Sequence, residues 1–241
     1  MLKRQNAGNE KGRVISVDNI IEIIGLKRSF KVGSETIHVL KGVNLAIERG
    51  KLTILCGPSG SGKTTLMNLA GALDEPDEGK IIFNGKNITS ISKSEKDLLR
   101  RNKIAFIFQS VALMSLMTAY ENVEYSLRIN KTPSRERRKR VEECLTMVDL
   151  LKRAKHMPGE MSGGEQQRVA IARAIAHRPE IIFADEPTAE LDSAMGLHVI
   201  RILKKVIDQE GLTVVMTTHD QDIAALADVL YRIQDGEIIN E

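Results

Sequence analysis

Short apolar runs punctuate this chain at 20–26 (IIEIIGL), 43–47 (VNLAI), 52–56 (LTILC), 80–83 (KIIF), 104–108 (IAFIF), 180–184 (EIIFA), 212–217 (LTVVMT) and 229–233 (VLYRI). Runs such as LTILC and EIIFA show no alternation, the habit of strands buried on both faces in a parallel sheet covered by helices. Between the later runs the apolar spacing predicts helices over 63–72, 134–151, 165–176, 194–209 and 221–227. The early runs are separated by turn chemistry, KVGSE and NGKN, without helices, which predicts antiparallel strands peripheral to the parallel core. Between 92 and 160 only one strand-like run occurs, so an inserted, mainly helical subdomain is expected there. The expected fold class is α/β, organised as a tail over 1–18 and one domain over 19–241.

Composition narrows this picture without changing it. Hydrophobic residues make up 42% and charged residues 28%, the balance of an ordinary globular chain. A formal net charge of +3 is too small over this length to argue for a nucleic-acid partner. Cys56 and Cys144 are far apart and in apolar surroundings, so neither a disulfide framework nor zinc-ligand spacing is present, and a reducing cytoplasm is expected. No apolar run approaches the roughly 20 residues of a membrane-spanning helix. The basic N-terminus has no apolar region after it, unlike a secretory signal, and is expected to be flexible. RERRKR (135–140) reads as a solvated helix face, and His38, His156, His177 and His198 as surface residues. LMSLMTAY (113–120) admits both core packing and an adaptable contact surface.

The chemistry concentrates at strand ends. Gly57, Pro58, Ser59, Gly60, Ser61, Gly62, Lys63 and Thr64 fit G-x-x-x-x-G-K-[ST], directly after LTILC and before a helix continuing through Thr65. Such a loop turns consecutive N–H groups toward a β-phosphate at a helix N-terminus, with the lysine reaching the β- and γ-phosphates and the threonine hydroxyl available to Mg²⁺. A glycine-rich turn without a ligand is the alternative, and the flanking strand and helix argue against it. IIFADE ends in Asp185 and Glu186: an aspartate there can hold Mg²⁺, and the adjacent glutamate can orient or deprotonate an attacking water. Gln109 after IAFIF and His219 after TVVMTT end strands in the same way. Each alone also fits an ordinary strand-end residue; their shared place at the carboxyl edge favours a ligand. Ser162, Gly163 and Gly164 open a helix on poor helix formers, which lets an anion approach the backbone N–H groups.

In order and spacing, GPSGSGKTT, FQS, MSGGEQQRVAIARA, IIFADEPTAELD and TTHD resemble the nucleotide-binding subunit of ATP-binding cassette (ABC) transporters, over residues 20–241. The resemblance implies a P-loop NTPase (RecA-like) core that binds ATP and Mg²⁺ and works as an ATPase. It places Lys63 on phosphate, and Thr64, Gln109 and Asp185 on the metal. It gives Glu186 as catalytic base, His219 as switch, and Gln109 also as water sensor. Ser162, Gly163, Gly164 and Glu165 would meet ATP held by a second copy, so a homodimer is expected on ATP binding, with Asp192 signalling across it. Phe30 stands where the family stacks an aromatic on adenine, and a π-face is all that stacking needs. Glu165 replaces a commoner Gln and Met161 a commoner Leu.

GALDEPDEG, FIFQS, TAYENVEYSL and SGGEQQRVAIARAIAHRPEIIFADEPT are similar to the group of lipoprotein-release (LolD), macrolide-export (MacB) and cell-division (FtsE) ATPases. That implies a separate transmembrane permease, a peripheral place on the cytoplasmic face of the cell membrane, and export or extraction of a hydrophobic or peptidic compound. FtsE-like mechanotransmission without translocation is the alternative. A soluble ABC ATPase of the repair or ribosomal kind is a remoter one, since this chain carries neither a long coiled coil nor a second cassette. LMSLMTAY departs from the group's proline-containing version at the segment where a permease helix would dock.

Overall fold

The computed structural model describes residues 18–239; the expected tail therefore lies outside the described residues apart from Asp18. Six strands form the main sheet: β3 (Leu52–Cys56), β6 (Ile104–Ile107), β7 (Ile181–Ala184), β8 (Thr213–Thr218), β9 (Val229–Gln234) and β10 (Glu237–Ile239), in the order β10-β9-β3-β8-β7-β6. All neighbours from β9 to β6 pair in parallel; β10 adds an antiparallel edge. A second sheet is wholly antiparallel, with β1 (Asn19–Val32), β2 (Glu35–Glu48), β4 (Glu78–Phe83) and β5 (Lys86–Asn87) in the order β2-β1-β4-β5. The runs at 20–26 and 43–47 thus belong to a far longer hairpin than their apolar residues mark.

Seven α-helices complete the described chain: α1 (Lys63–Ala70), α2 (Lys93–Asn102), α3 (Ala119–Ile129), α4 (Ser134–Met147), α5 (Gly163–Ile175), α6 (Ser193–Glu210) and α7 (Gln221–Ala224). None is long and apolar enough to cross a membrane. Side-chain alternation along the central strands divides the interior in two. Leu52, Ile54, Ile182, Val214 and Met216 face a core built with α3, α4, α5 and α6. Leu55, Ile181, Phe183 and Val215 face the other core, with α1 and the antiparallel sheet. Both faces are buried, which is why these runs show no polar alternation.

Several sequence expectations need correction. Helix α1 stops at Ala70 with Gly71 as its cap, α4 stops at Met147, and α7 is four residues long. Helices α2 and α3 were not singled out by apolar periodicity, yet each opens on a capping box, Ser92 with Glu95 and Thr118 with Glu121. The basic run on α4 is not uniformly solvated: Arg140 is 7% exposed. Of the four histidines read as surface residues, His38 is exposed and His156, His177 and His198 are half-buried. His177 is half-buried beside the Ser126 hydroxyl, and burial lowers its pKa.

Candidate active site

Strand β3 is buried at every position and delivers residues 57–62 to the N-terminus of α1. Two glycines here have steric reasons. A Cβ on Gly57 would lie 2.1 Å from the Ile233 carbonyl oxygen, because β9 pairs directly with β3. Gly62, at φ 102°, caps α1 in the left-handed region, and a Cβ there would press on Leu40 and the Val39 carbonyl. Ser61 is buried beneath the loop, where its carbonyl accepts from the Gly236 N–H at 3.2 Å. Lys63 is 5% exposed; its Nζ donates to the carbonyls of Gly57 (2.8 Å) and Pro58 (2.9 Å) and lies 3.8 Å from Glu186 Oε1.

Above the loop opens a cleft of about 410 Å³, lined by Ser59, Gly60, Gly62, Lys63, Thr64 and Thr65 together with Phe30, Val39 and Glu186. The acids both follow β7, two strands from β3 across β8. Thr64 Oγ1 donates to Asp185 Oδ1 at 3.1 Å, joining residues 121 positions apart in the chain. Thr217 Oγ1 donates to the same oxygen at 2.6 Å and accepts from the Glu186 N–H at 2.9 Å. Glu186 takes a left-handed φ of 43°, unusual for a side-chain-bearing residue, and its Oε2 lies 3.1 Å from His219 Nδ1. Thr217 is fully buried and was missed in the sequence, where it is one of several strand residues in TVVMTT. Only the register pairing Ala184 with Met216 sets the next positions, Asp185 and Thr217, side by side.

Phe30, on β1, is 39% exposed and borders the cleft. The other expected residues stand apart. Gln109 follows β6 at the far edge of the sheet, exposed and outside the cleft lining. Ser162 is the N-cap of α5, with its hydroxyl accepting from the Glu165 N–H at 3.2 Å. Glu165 returns the bond through Oε2 to the Ser162 N–H at 2.9 Å, and its Oε1 accepts from Arg153 Nε at 3.1 Å. The Ser162 N–H is the leading cause of the lowered Glu165 pKa, so this carboxylate is occupied by its own helix. Gly163 is exposed, whereas Gly164 is buried where a Cβ would meet the Met195 side chain. Asp192 is the N-cap of α6, accepting from the Met195 N–H at 2.9 Å. Positions 162–165 and 192 therefore make one surface edge, separate from the phosphate-loop cleft.

The ABC transporter family model matches residues 40–189. The chain is 43% identical to the ABC transporter ATP-binding protein MJ0796 of Methanocaldococcus jannaschii, over 92% of this chain and 96% of that protein. It is 44% identical to the macrolide export ATP-binding/permease protein MacB of Bartonella henselae, over 92% of this chain but only 34% of MacB; it spans about a third of that relative's length. The MJ0796 cassette solved as a dimer in a post-hydrolysis state with ADP and Pi superposes with a TM-score of 0.83, at 42% identity, covering 91% of this chain and 97% of that one. With a phosphate loop, two strand-end acids and a separate Ser-Gly-Gly edge around a mainly parallel sheet, the chain belongs to the ABC transporter family, as an ATP-binding cassette ATPase.

Proposed function

We propose that this chain is the ATP-hydrolysing subunit of a MacB- or LolD-like export system, in which two copies close on two ATP molecules beneath a separate transmembrane permease. The observation that carries the proposal is the division of the site. The phosphate loop and Glu186 line one cleft, with Asp185 bonded to Thr64 and His219 to Glu186 beside it, while Ser162, Gly163 and Gly164 lie on an edge outside it. A second copy would bring that edge to the nucleotide. The dimeric state of the MJ0796 relative supports this arrangement.

Phe30 takes the adenine, the loop N–H groups and Lys63 take the phosphates, and Glu186 accepts the proton of the attacking water at its carboxylate. His219 holds the other oxygen of that carboxylate and is placed to report on the γ-phosphate. The donor set fits Mg²⁺: the Thr64 hydroxyl and the Asp185 carboxylate are hard oxygen ligands already within 3.1 Å of each other. When bound, the ion neutralises charge on the phosphate oxygens. Gln109, at the end of β6, reaches the same metal and water when the site assembles. Asp192 and the signature residues couple the two sites. The whole of 19–241 acts as one cassette, its helical part at about 92–160 carrying the permease contact at LMSLMTAY. In this reading the protein works at the cytoplasmic face of the membrane and acts on a hydrophobic or peptidic compound.

The test is Glu186→Gln, purified from native membranes with ATP and Mg²⁺. The expected result is a stable dimer that retains ATP and brings a four-helix permease with it. A protein that stays monomeric under these conditions refutes the dimer; a dimer accompanied only by soluble proteins refutes the transport role.

A further inference from the structure

Two residues before Phe30, the same strand carries a charged side chain whose place the nucleotide site does not by itself explain. Arg28 and Phe30 share a face of β1. The Arg28 Cζ lies 4.8 Å from the centroid of the Phe30 ring, within cation–π reach. Phe30 borders the cleft, and Arg28 lies over its ring without lining the cleft itself.

The guanidinium is held from two directions. Its Nη1 donates to Asp77 Oδ1 at 3.0 Å, and its Nη2 to Asp74 Oδ1 at 3.0 Å. The second Asp77 oxygen accepts from the Ser29 N–H at 2.7 Å, and the Asp77 N–H donates to the Lys27 carbonyl at 2.9 Å. Positions 27–29 are thus stapled to 74–77, the segment that follows α1. Helix α1 begins at the phosphate loop, so one set of polar contacts ties the aromatic ring to the element that carries the phosphate site.

We propose that Arg28 is a positioning residue for ATP: clamped by Asp74 and Asp77, its guanidinium braces the Phe30 ring and tightens binding of the adenine base through that ring. This rests on the assignment of Phe30 to the base. A braced ring gives up little freedom when a base stacks on it, so removing the brace weakens the base contact and leaves the phosphate contacts untouched.

The experiment compares equilibrium binding of ATP and of inorganic tripolyphosphate, which has no base, both with Mg²⁺. The proteins are wild type, Arg28→Met, Arg28→Lys, Phe30→Ala and the Arg28→Met/Phe30→Ala double variant. Arg28→Met is expected to raise the ATP Kd about threefold to tenfold while the tripolyphosphate Kd stays within about twofold. Arg28→Lys, which keeps a cation beside Asp74 and Asp77, recovers most of the loss, and Arg28→Met adds nothing once Phe30 is alanine. Equal losses for ATP and tripolyphosphate overturn the proposal in favour of a purely structural staple, and Arg28→Gln, which keeps a donor for Asp74 and Asp77 without the charge over the ring, reads the same distinction if Arg28→Met folds poorly. An ATP-specific loss in Phe30→Ala with none in Arg28→Met overturns the role of Arg28 alone. An unchanged ATP Kd in Phe30→Ala removes the base platform itself.

Discussion

Removing the Arg140 side chain should cost more stability than any other single change on the basic face of α4. Its Nε donates to the Ala176 carbonyl at 3.0 Å and its Nη2 to the Ile175 carbonyl at 2.7 Å, at the C-terminal end of α5, where the Arg178 N–H also bonds the Ile175 carbonyl at 3.0 Å. Its Nη1 and Nη2 also grip both oxygens of Glu210 at 2.8 and 3.0 Å. Burial works against the charge, and the Glu210 hydrogen bond and field more than offset it, so the Arg140 pKa is raised. The Glu210 side chain is only 13% exposed, and Arg140→Met leaves its carboxylate with no hydrogen-bonded cation, only the exposed Arg178 at 3.9 Å. Breaking such a buried pair costs about 3–5 kcal/mol. In Arg140→Met/Glu210→Leu the stranded charge is gone, and what remains is the loss of two carbonyl contacts, about 1–3 kcal/mol in all. Urea unfolding at neutral pH, with midpoints converted through a common slope, measures both values. A single variant within about 1 kcal/mol of wild type, or a double variant as unstable as the single, would refute the reasoning.

Gly57→Ala puts a methyl group against the Ile233 backbone, which cannot swing aside as a side chain would. A stability loss of about 1–3 kcal/mol is expected, together with weakened ATP binding in a fluorescent-nucleotide titration. Thr217→Val keeps the shape but leaves the Glu186 N–H without its side-chain acceptor and Asp185 without one of its two hydroxyl donors. It should lose about 1–3 kcal/mol by urea unfolding and lower kcat more than it raises KM. Glu165→Gln retains the capping box, since either side chain can accept the Ser162 N–H. The Glu165 pKa is lowered in the folded protein, so its charge stabilises above the ordinary value of 4.5, and this contribution disappears as pH falls through the folded pKa. Melting curves should therefore show Glu165→Gln slightly less stable at pH 7, with the gap narrowing as the pH is taken below 4.5; a gap independent of pH would contradict this.

What was legible in the chain was what short-range physics decides. LTILC and EIIFA reported strands buried on both faces, the glycine-lysine-threonine loop reported a turn from strand into helix, and Ser-Gly-Gly reported a helix start. Even the missed helices α2 and α3 carried readable signals in Ser92-x-x-Glu95 and Thr118-x-x-Glu121, which their sparse apolar pattern obscured. The hairpin of β1 and β2 was under-read because most of its outer half is exposed and polar, so apolar content marked only its inner end.

Other properties depended on which strands became neighbours. Nothing near Thr217 announces that it will hold Asp185, and nothing within RERRKR separates Arg140 from the arginines that stay in water. Gly57 looks like any loop glycine until β9 settles 2.1 Å from its missing side chain. Hydrogen-bond capping, helical period and strand alternation act over a few residues and are written into the sequence as local pattern. Burial of one particular charge and convergence of a threonine with an acid 121 residues away are set by sheet order and register, which arise from packing the whole domain at once.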